Sequence, residues 1–243
     1  MGWFRRFRQR PEIIDERPGE PEQAAREFWQ RWQELLPDIS AALGDREPQR
    51  FEHDLTEAVA AMHPDLQFSV DRGQRAIYSL VVTGQEDPEL RPYTDAWLAV
   101  APPEDAIWEY HDSVPPVPDP SEVTVNIGAH QVALADVRVV AQVDEASGTV
   151  DVAVHHPEFA ELEPRAREAL TFLPLDATLG ERLAARWLGR VESADNAPEN
   201  AITLLDLRDL VYRLDQGDDR DDDQGGAADQ DDTGEGGAVG DPG

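Results

Sequence analysis

The chain has 243 residues, 40% of them hydrophobic, enough for a folded core, and it carries a net charge of −30 from 51 Asp and Glu set against 21 cationic side chains, every one of them Arg. With no Cys and no Lys, it excludes disulfides, thiolate nucleophiles, Cys-ligated zinc, iron–sulfur clusters, a P-loop lysine and Schiff-base or pyridoxal phosphate linkage through its own side chains. No window approaches the roughly 20 apolar residues that span a bilayer, and no apolar stretch follows the basic N-terminus as in a signal peptide, so a cytoplasmic protein is expected.

The charge is unevenly spread: +4 over residues 1–10, −24 over 11–214 and −10 over 215–243. Arg without Lys, with only three Asn, fits a GC-rich genome, while adaptation to salt would also favour carboxylates over Lys. Under either origin the field opposes phosphate backbones, and direct nucleic-acid binding is not expected.

Residues 1–20 read as a flexible arm. Within it Trp3, Phe4 and Phe7 interleave with Arg5, Arg6, Arg8 and Arg10, a composition suited at most to weak contact with an anionic membrane surface. Arg6 stands where a myristoylation signal after Gly2 would have Ser or Thr. From Pro21 the period is helical, with Phe28, Trp29, Trp32, Leu35 and Leu36 on one stripe and Pro37 as its end or kink. A second helix carries Phe51, Leu55, Val59 and Met62 and stops at His63-Pro64.

The period then becomes two. Leu66, Phe68 and Val70 form a strand up to the turn at Arg72-Gly73-Gln74, and the apolar run Ala76 to Thr83 reads as a central strand buried on both faces. Asp87-Pro88 opens a helix through Leu90, Tyr93, Trp97 and Leu98 that ends at Pro102-Pro103. A short strand at Ala106 to Tyr110 precedes four prolines in Val114 to Pro120, the one plausible hinge between subdomains. Val123, Val125 and Ile127 then alternate up to Gly128, and Val137 to Val143 pairs with Val150 to Val154 as a hairpin.

Pro164 begins a helix through Leu170 and Leu173 that Pro174 kinks and Gly180 caps. Leu183, Ala185, Trp187 and Val191 read as a last strand, and Thr203 with Asp206 as a capping box before Leu207, Leu210, Val211 and Leu214. The order α-α-β-β-α-β-β-β-β-α-β-α predicts an α+β domain over residues 21–214, with one mixed, largely antiparallel sheet of about six or seven strands covered by helices and no internal repeat. The Asp/Gly-rich stretch 215–243 reads as a disordered acidic tail.

Two constellations could carry chemistry. His155, His156 and Glu158 follow the hairpin and could contribute to a metal site, provided the strand has ended, since adjacent strand residues point to opposite faces; polar strand-end residues are the plain alternative. Asp176 and Glu181 flank a kinked helix and could serve as acid and base or bind a cation, or else cap the turn and face solvent. His53, His63, His111 and His130 have no local partner at metal-ligand spacing. There is no Walker loop, no strand-linked G-x-G-x-x-G and no G-x-S-x-G elbow, and no cofactor is expected.

Across roughly residues 50–214, Ala101-Pro102-Pro103, Trp108-Glu109-Tyr110, Phe172-Leu173 to Leu175-Asp176, Leu179-Gly180-Glu181 and Trp187 to Glu192 together resemble an uncharacterised bacterial protein family. The resemblance implies no activity; it adds Trp108 and Gly180 to Asp176 and Glu181 as positions to test. Acidity without a catalytic motif leads to the expectation of a non-enzymatic interaction or regulatory module with an unknown, basic protein partner. The alternatives are a small metal-dependent or carboxylate-based hydrolase and a nucleic-acid mimic.

Overall fold

The computed structural model describes residues 20–225, apart from residue 86 and residues 128–129. The arginine-rich stretch at 1–10, the turn at Gly128 and the acidic tail beyond 225 lie outside the described residues.

Helix α1, Pro21–Asp45, starts with Pro in its first turn, and the Glu20 carbonyl accepts the N–H groups of Gln23 and Ala24. Its buried stripe of Ala25, Phe28, Trp32, Leu35, Ile39 and Ala42 keeps helical spacing straight past Pro37. Pro37 does not end the helix because it lies on the exposed face, where the carbonyl that loses its partner can meet water. Helix α2, Gln49–Met62, packs along α1. The hairpin of β1 (Gln67–Arg72) and β2 (Tyr78–Thr83) follows, then α3 (Arg91–Ala99) and β3 (Trp108–His111), which runs parallel to β2.

After the proline-rich connection come the small hairpin β4 (Thr124–Ile127) and β5 (His130–Ala133), then the hairpin β6 (Arg138–Asp144) and β7 (Thr149–His155) in the expected register, with Val139 opposite Val154 and Val143 opposite Val150. Helix α4, Pro164–Trp187, leads to β8, Leu188–Ser193, parallel to β7. Helix α5 runs Leu204–Gly225, eleven residues past the last apolar position at Leu214. The capping box before it is present, since Asp206 accepts from the Thr203 N–H and hydroxyl and its own N–H donates to Thr203 Oγ1.

The class is α+β, but among the described residues the eight strands form three sheets, ordered β1-β2-β3, β4-β5 and β6-β7-β8, not one sheet of six or seven. The outer edge of β3 is blocked by its own approach: Asp105 accepts the N–H groups of Ile107 and Trp108, and its N–H donates to the Trp108 carbonyl. The outer edge of β6 makes a single bridge, Val139 to Ile202. Residues 183–187 belong to α4 rather than to the last strand. Leu183 and Trp187 fit a helical stripe with Ala184 as well as the alternating one with Ala185, and packing chose the helix.

A repeat invisible in the residues is plain in the topology. Both β1-β2-α3-β3 and β6-β7-α4-β8 run strand, antiparallel strand, helix, parallel strand. Each unit buries a separate apolar cluster, the first built on Phe28, Trp29, Trp32, Trp97, Trp108 and Tyr110, the second on Val139, Val150, Val152, Val154, Leu170 and Leu179.

Candidate functional site

The proline segment is not a free hinge. Helix α4 opens at Gly180, whose φ of 71° and ψ of 169° are non-helical, so the expected bond from the Glu181 N–H to the Ala177 carbonyl is not made. Both orphaned groups are taken up by the segment: Glu181 N–H donates to the Val114 carbonyl and Val117 N–H donates to the Ala177 carbonyl, each at 2.9 Å. Arg208 on α5 then reads three carbonyls, donating from Nε to Thr178, from Nη1 to Pro118 and from Nη2 to Val117 at 2.6–2.8 Å. Gln74 donates to the Pro116 carbonyl from the other side. Gly180 is required twice over, by its positive φ and because a Cβ there would stand 2.7 Å from the Pro116 ring and backbone nitrogen. Pro174, expected as the kink, stays inside the helix.

The junction between the two apolar clusters is polar. Among the described residues the buried carboxylates are Glu109, Asp112 and Glu181, and all three lie in this seam. Glu181 accepts the Thr83 hydroxyl at 2.5 Å and the Val114 N–H at 3.0 Å, tying the end of β2 to the proline segment. Asp176, its proposed partner, sits exposed on the preceding turn of α4. Asp112 accepts from Ser113 Oγ and from Arg182, which also pairs with Asp95 on α3.

Glu109 is only 1% exposed and closes the β1–β2 loop onto β3. It accepts the backbone N–H groups of Gln74, Arg75 and Ala76 at 2.7–2.9 Å, and His111 Nε2–H at 3.1 Å. Burial pushes its carboxyl upward, but the bonds from Gln74, Arg75, His111 and Ala76 outweigh that and hold the pKa down to about 2. The bond to Glu109 fixes the orientation of the His111 ring. His111 and Ser113 form the polar end of a cleft of about 210 Å³ whose walls include Pro116, Leu179, Leu183 and Tyr212.

His155 and His156 go elsewhere. His156 is 2% exposed, accepts the Glu158 N–H on Nδ1 at 3.1 Å and donates from Nε2 to the Ala133 carbonyl at 3.3 Å, so both ring nitrogens serve the turn after β7. His155 reaches the Ala194 carbonyl through Nδ1 at 3.1 Å, while Glu158 lies 3.5 Å from His130. Among the described residues no group of three or more His, Asp or Glu side chains is arranged to hold a metal ion. Trp108 is buried in the aromatic cluster, its ring 4.9 Å from that of Trp32 and nearly perpendicular to it.

Glu109, His111, Arg182 and Arg208 escape sequence reasoning because their partners lie far along the chain. One signal was available. In Trp108-Glu109-Tyr110-His111 the polar residues alternate with core aromatics, which marks the strand but reads as one face buried and the other solvated, so the burial of Glu109 appears only in the fold. The chain matches no protein-family model, no curated protein and no solved structure.

Proposed function

We propose that the chain is a non-enzymatic, cytoplasmic interaction or regulatory module whose acidic exterior meets a basic protein partner. The observation that carries this reading is the placement of its charge. Three described carboxylates are buried and committed to the seam, so the remaining acidity lies at least partly on the surface, where it steers an oppositely charged partner and repels others. Consistent with that placement, no helix among the described residues is long and apolar enough to cross a membrane. The test is affinity capture from native lysate at about 50 mM and about 500 mM salt, where screening lengths differ roughly threefold. A basic partner held at low salt, lost at high salt and lost again on neutralising the outer face of α2 (Glu52→Gln, Asp54→Asn, Glu57→Gln) is expected. Capture indifferent to both salt and charge would overturn the reading.

A second reading, a carboxylate-based hydrolase, is favoured by His111, a ring oriented by a buried carboxylate at the end of a cleft. It requires turnover of activated esters or amides that disappears in His111→Gln while the far-UV circular dichroism is unchanged.

A further inference from the structure

We propose that the outer edge of β8 pairs antiparallel with the β8 of a second copy of the chain, in the register that sets Arg190 opposite Glu192, joining two three-stranded sheets into one of six strands.

Of the edges of the two three-stranded sheets, that of β3 is blocked by its own approach and that of β6 is partly taken by Ile202, which leaves β1 and β8. β8 is the more exposed of the two, with Gly189, Arg190, Glu192 and Ser193 all open to solvent. The Ala194 N–H donates to the Val154 carbonyl at 2.7 Å, and Val152, Ala153 and Val154 pair in turn with Val191, Glu192 and Ser193. In a parallel ladder the N–H and C=O of one residue point the same way and alternate along the strand. Those of Glu192 and Ala194 therefore point to β7, and those of Val191 and Ser193 point outwards, where they find no partner among the described residues. Strand addition uses such a row of unpaired groups.

The side chains select the occupant. Two identical antiparallel strands related by a two-fold axis centre on one residue. Centring on Arg190 or on Glu192 sets like charges face to face, whereas centring on Val191 places Arg190 opposite Glu192 twice. Both of those pairs fall at non-hydrogen-bonded positions, where opposed side chains stand closest. Both charges also share the face turned away from the core: Arg190 contacts Asp151 and Glu192 is paired with Ala153, residues that alternate with buried Val150, Val152 and Val154. Glu192 has no ion pair among the described residues. Arg190 is 71% exposed and holds Asp151 through Nη2 at 3.2 Å, so other donors of its guanidinium remain for the Glu192 of the second copy. In β1 the charges Asp71 and Arg72 are adjacent, hence on opposite faces, and no two-fold register brings them together.

The helices fit the same arrangement. α4 packs on β7 and β8 and α5 on β6, so α4 is the helix nearer the open edge. With strands ~4.8 Å apart, two α4 helices each centred over a β7–β8 pair stand about 10 Å from one another, the spacing of packed helices. Phe172 and Leu173, 45% and 37% exposed, lie roughly 100° apart towards the two sides of the exposed arc of α4, so one of them faces the second helix.

The test is sedimentation equilibrium of the full-length protein at about 150 mM salt, where repulsion between the acidic chains is screened beyond ~8 Å. The mass is expected to rise from that of one chain towards that of two as concentration increases into the range of hundreds of micromolar. Arg190→Glu and Glu192→Arg should each weaken the dimer by about tenfold or more with unchanged far-UV circular dichroism, because each sets like charges opposite one another. An equimolar mixture of the two variants should recover it, since one strand then carries two Glu and the other two Arg. If a single reversal disturbs the fold, the double variant Arg190→Glu/Glu192→Arg, which keeps the pairs in exchanged form, decides by dimerising like the unaltered chain. A mass that stays at one chain, a dimer indifferent to both reversals, a mixture that fails to recover it, or mass gained only from a foreign protein would each overturn the proposal. The inference is independent of the acidic-surface reading, whose capture test is read on α2, so the two fail separately.

Discussion

The N-terminal half, residues 21–112, and the C-terminal half, residues 123–217, share one strand-strand-helix-strand order but fill their cores with different material. In the first, four Trp, Phe28 and Tyr110 interlock around α1, with Trp29 stacked on Trp97 and its indole N–H donating to the Trp97 carbonyl at 2.7 Å. In the second, the valines of β6 and β7 lie against Leu170, Leu175 and Leu179, with Trp187 at the margin. The same topology tolerates both because it demands a covered sheet face, not a residue type. What the halves could not do is merge. The face of β1-β2-β3 turned away from the aromatics presents Ser79, Thr83 and Glu109, all buried, so the halves meet through hydrogen bonds rather than a continuous apolar core.

The sharpest way to separate the halves is to cut one core. Trp32→Ala removes a side chain 1% exposed and should cost about 4 kcal/mol in urea unfolding, whereas Leu175→Ala in the second core should cost nearer 3 kcal/mol. Tryptophan fluorescence reports mainly the first half, so a fluorescence transition that also shifts in Leu175→Ala, in proportion to its smaller cost, would show the halves unfolding as one unit.

Next in size is the seam. Gly180→Ala combines strained φ with a Cβ 2.7 Å from Pro116 and should cost about 3 kcal/mol, measurable as a lower thermal midpoint; a neutral result would mean the proline segment is not held where the hydrogen bonds place it.

Glu109 tests the seam by pH. Folding lowers its pKa from the ordinary 4.5 to about 2, so the folded state binds this proton more weakly than the unfolded chain. Its stabilisation is complete above about pH 4.5 and is lost as pH falls towards 2; the shift corresponds to at most about 3 kcal/mol. Glu109→Gln should therefore weaken the protein by about 2 kcal/mol at pH 7 and by little at pH 2, flattening the acid limb of its stability curve. An unchanged limb would reassign that acid sensitivity to other carboxylates. The smallest effect belongs to the cap of α5: Thr203→Ala should cost about 1 kcal/mol, read in the same titration.

Much of the local structure was legible. The β6–β7 register follows from alternating valines around a turn, and the α5 start follows from Thr203 and Asp206, because strands and caps are decided by residues within a few positions of one another. Less of the candidate site was. Glu181 and Gly180 stood out on α4, yet their partners Thr83, Val114 and Pro116 lie about 65 to 100 residues away, and no spacing rule links them. His155 and His156 looked like ligands because they are adjacent histidines, but each ring is spent on a backbone carbonyl, Ala194 and Ala133, that only the folded chain brings near.

By itself the sequence determined the class, the acidity, the stripes of α1, α2 and α5 and the chemistry that missing Cys and Lys forbid, since these depend on composition and on periods of two and 3.6 residues. Only the tertiary structure decided that the strands divide into three sheets, that α4 breaks at Gly180 instead of at Pro174, and that the proline segment is clamped. Those outcomes turn on which backbone donors and acceptors remain unpaired once the two cores have formed, a quantity that exists only in three dimensions.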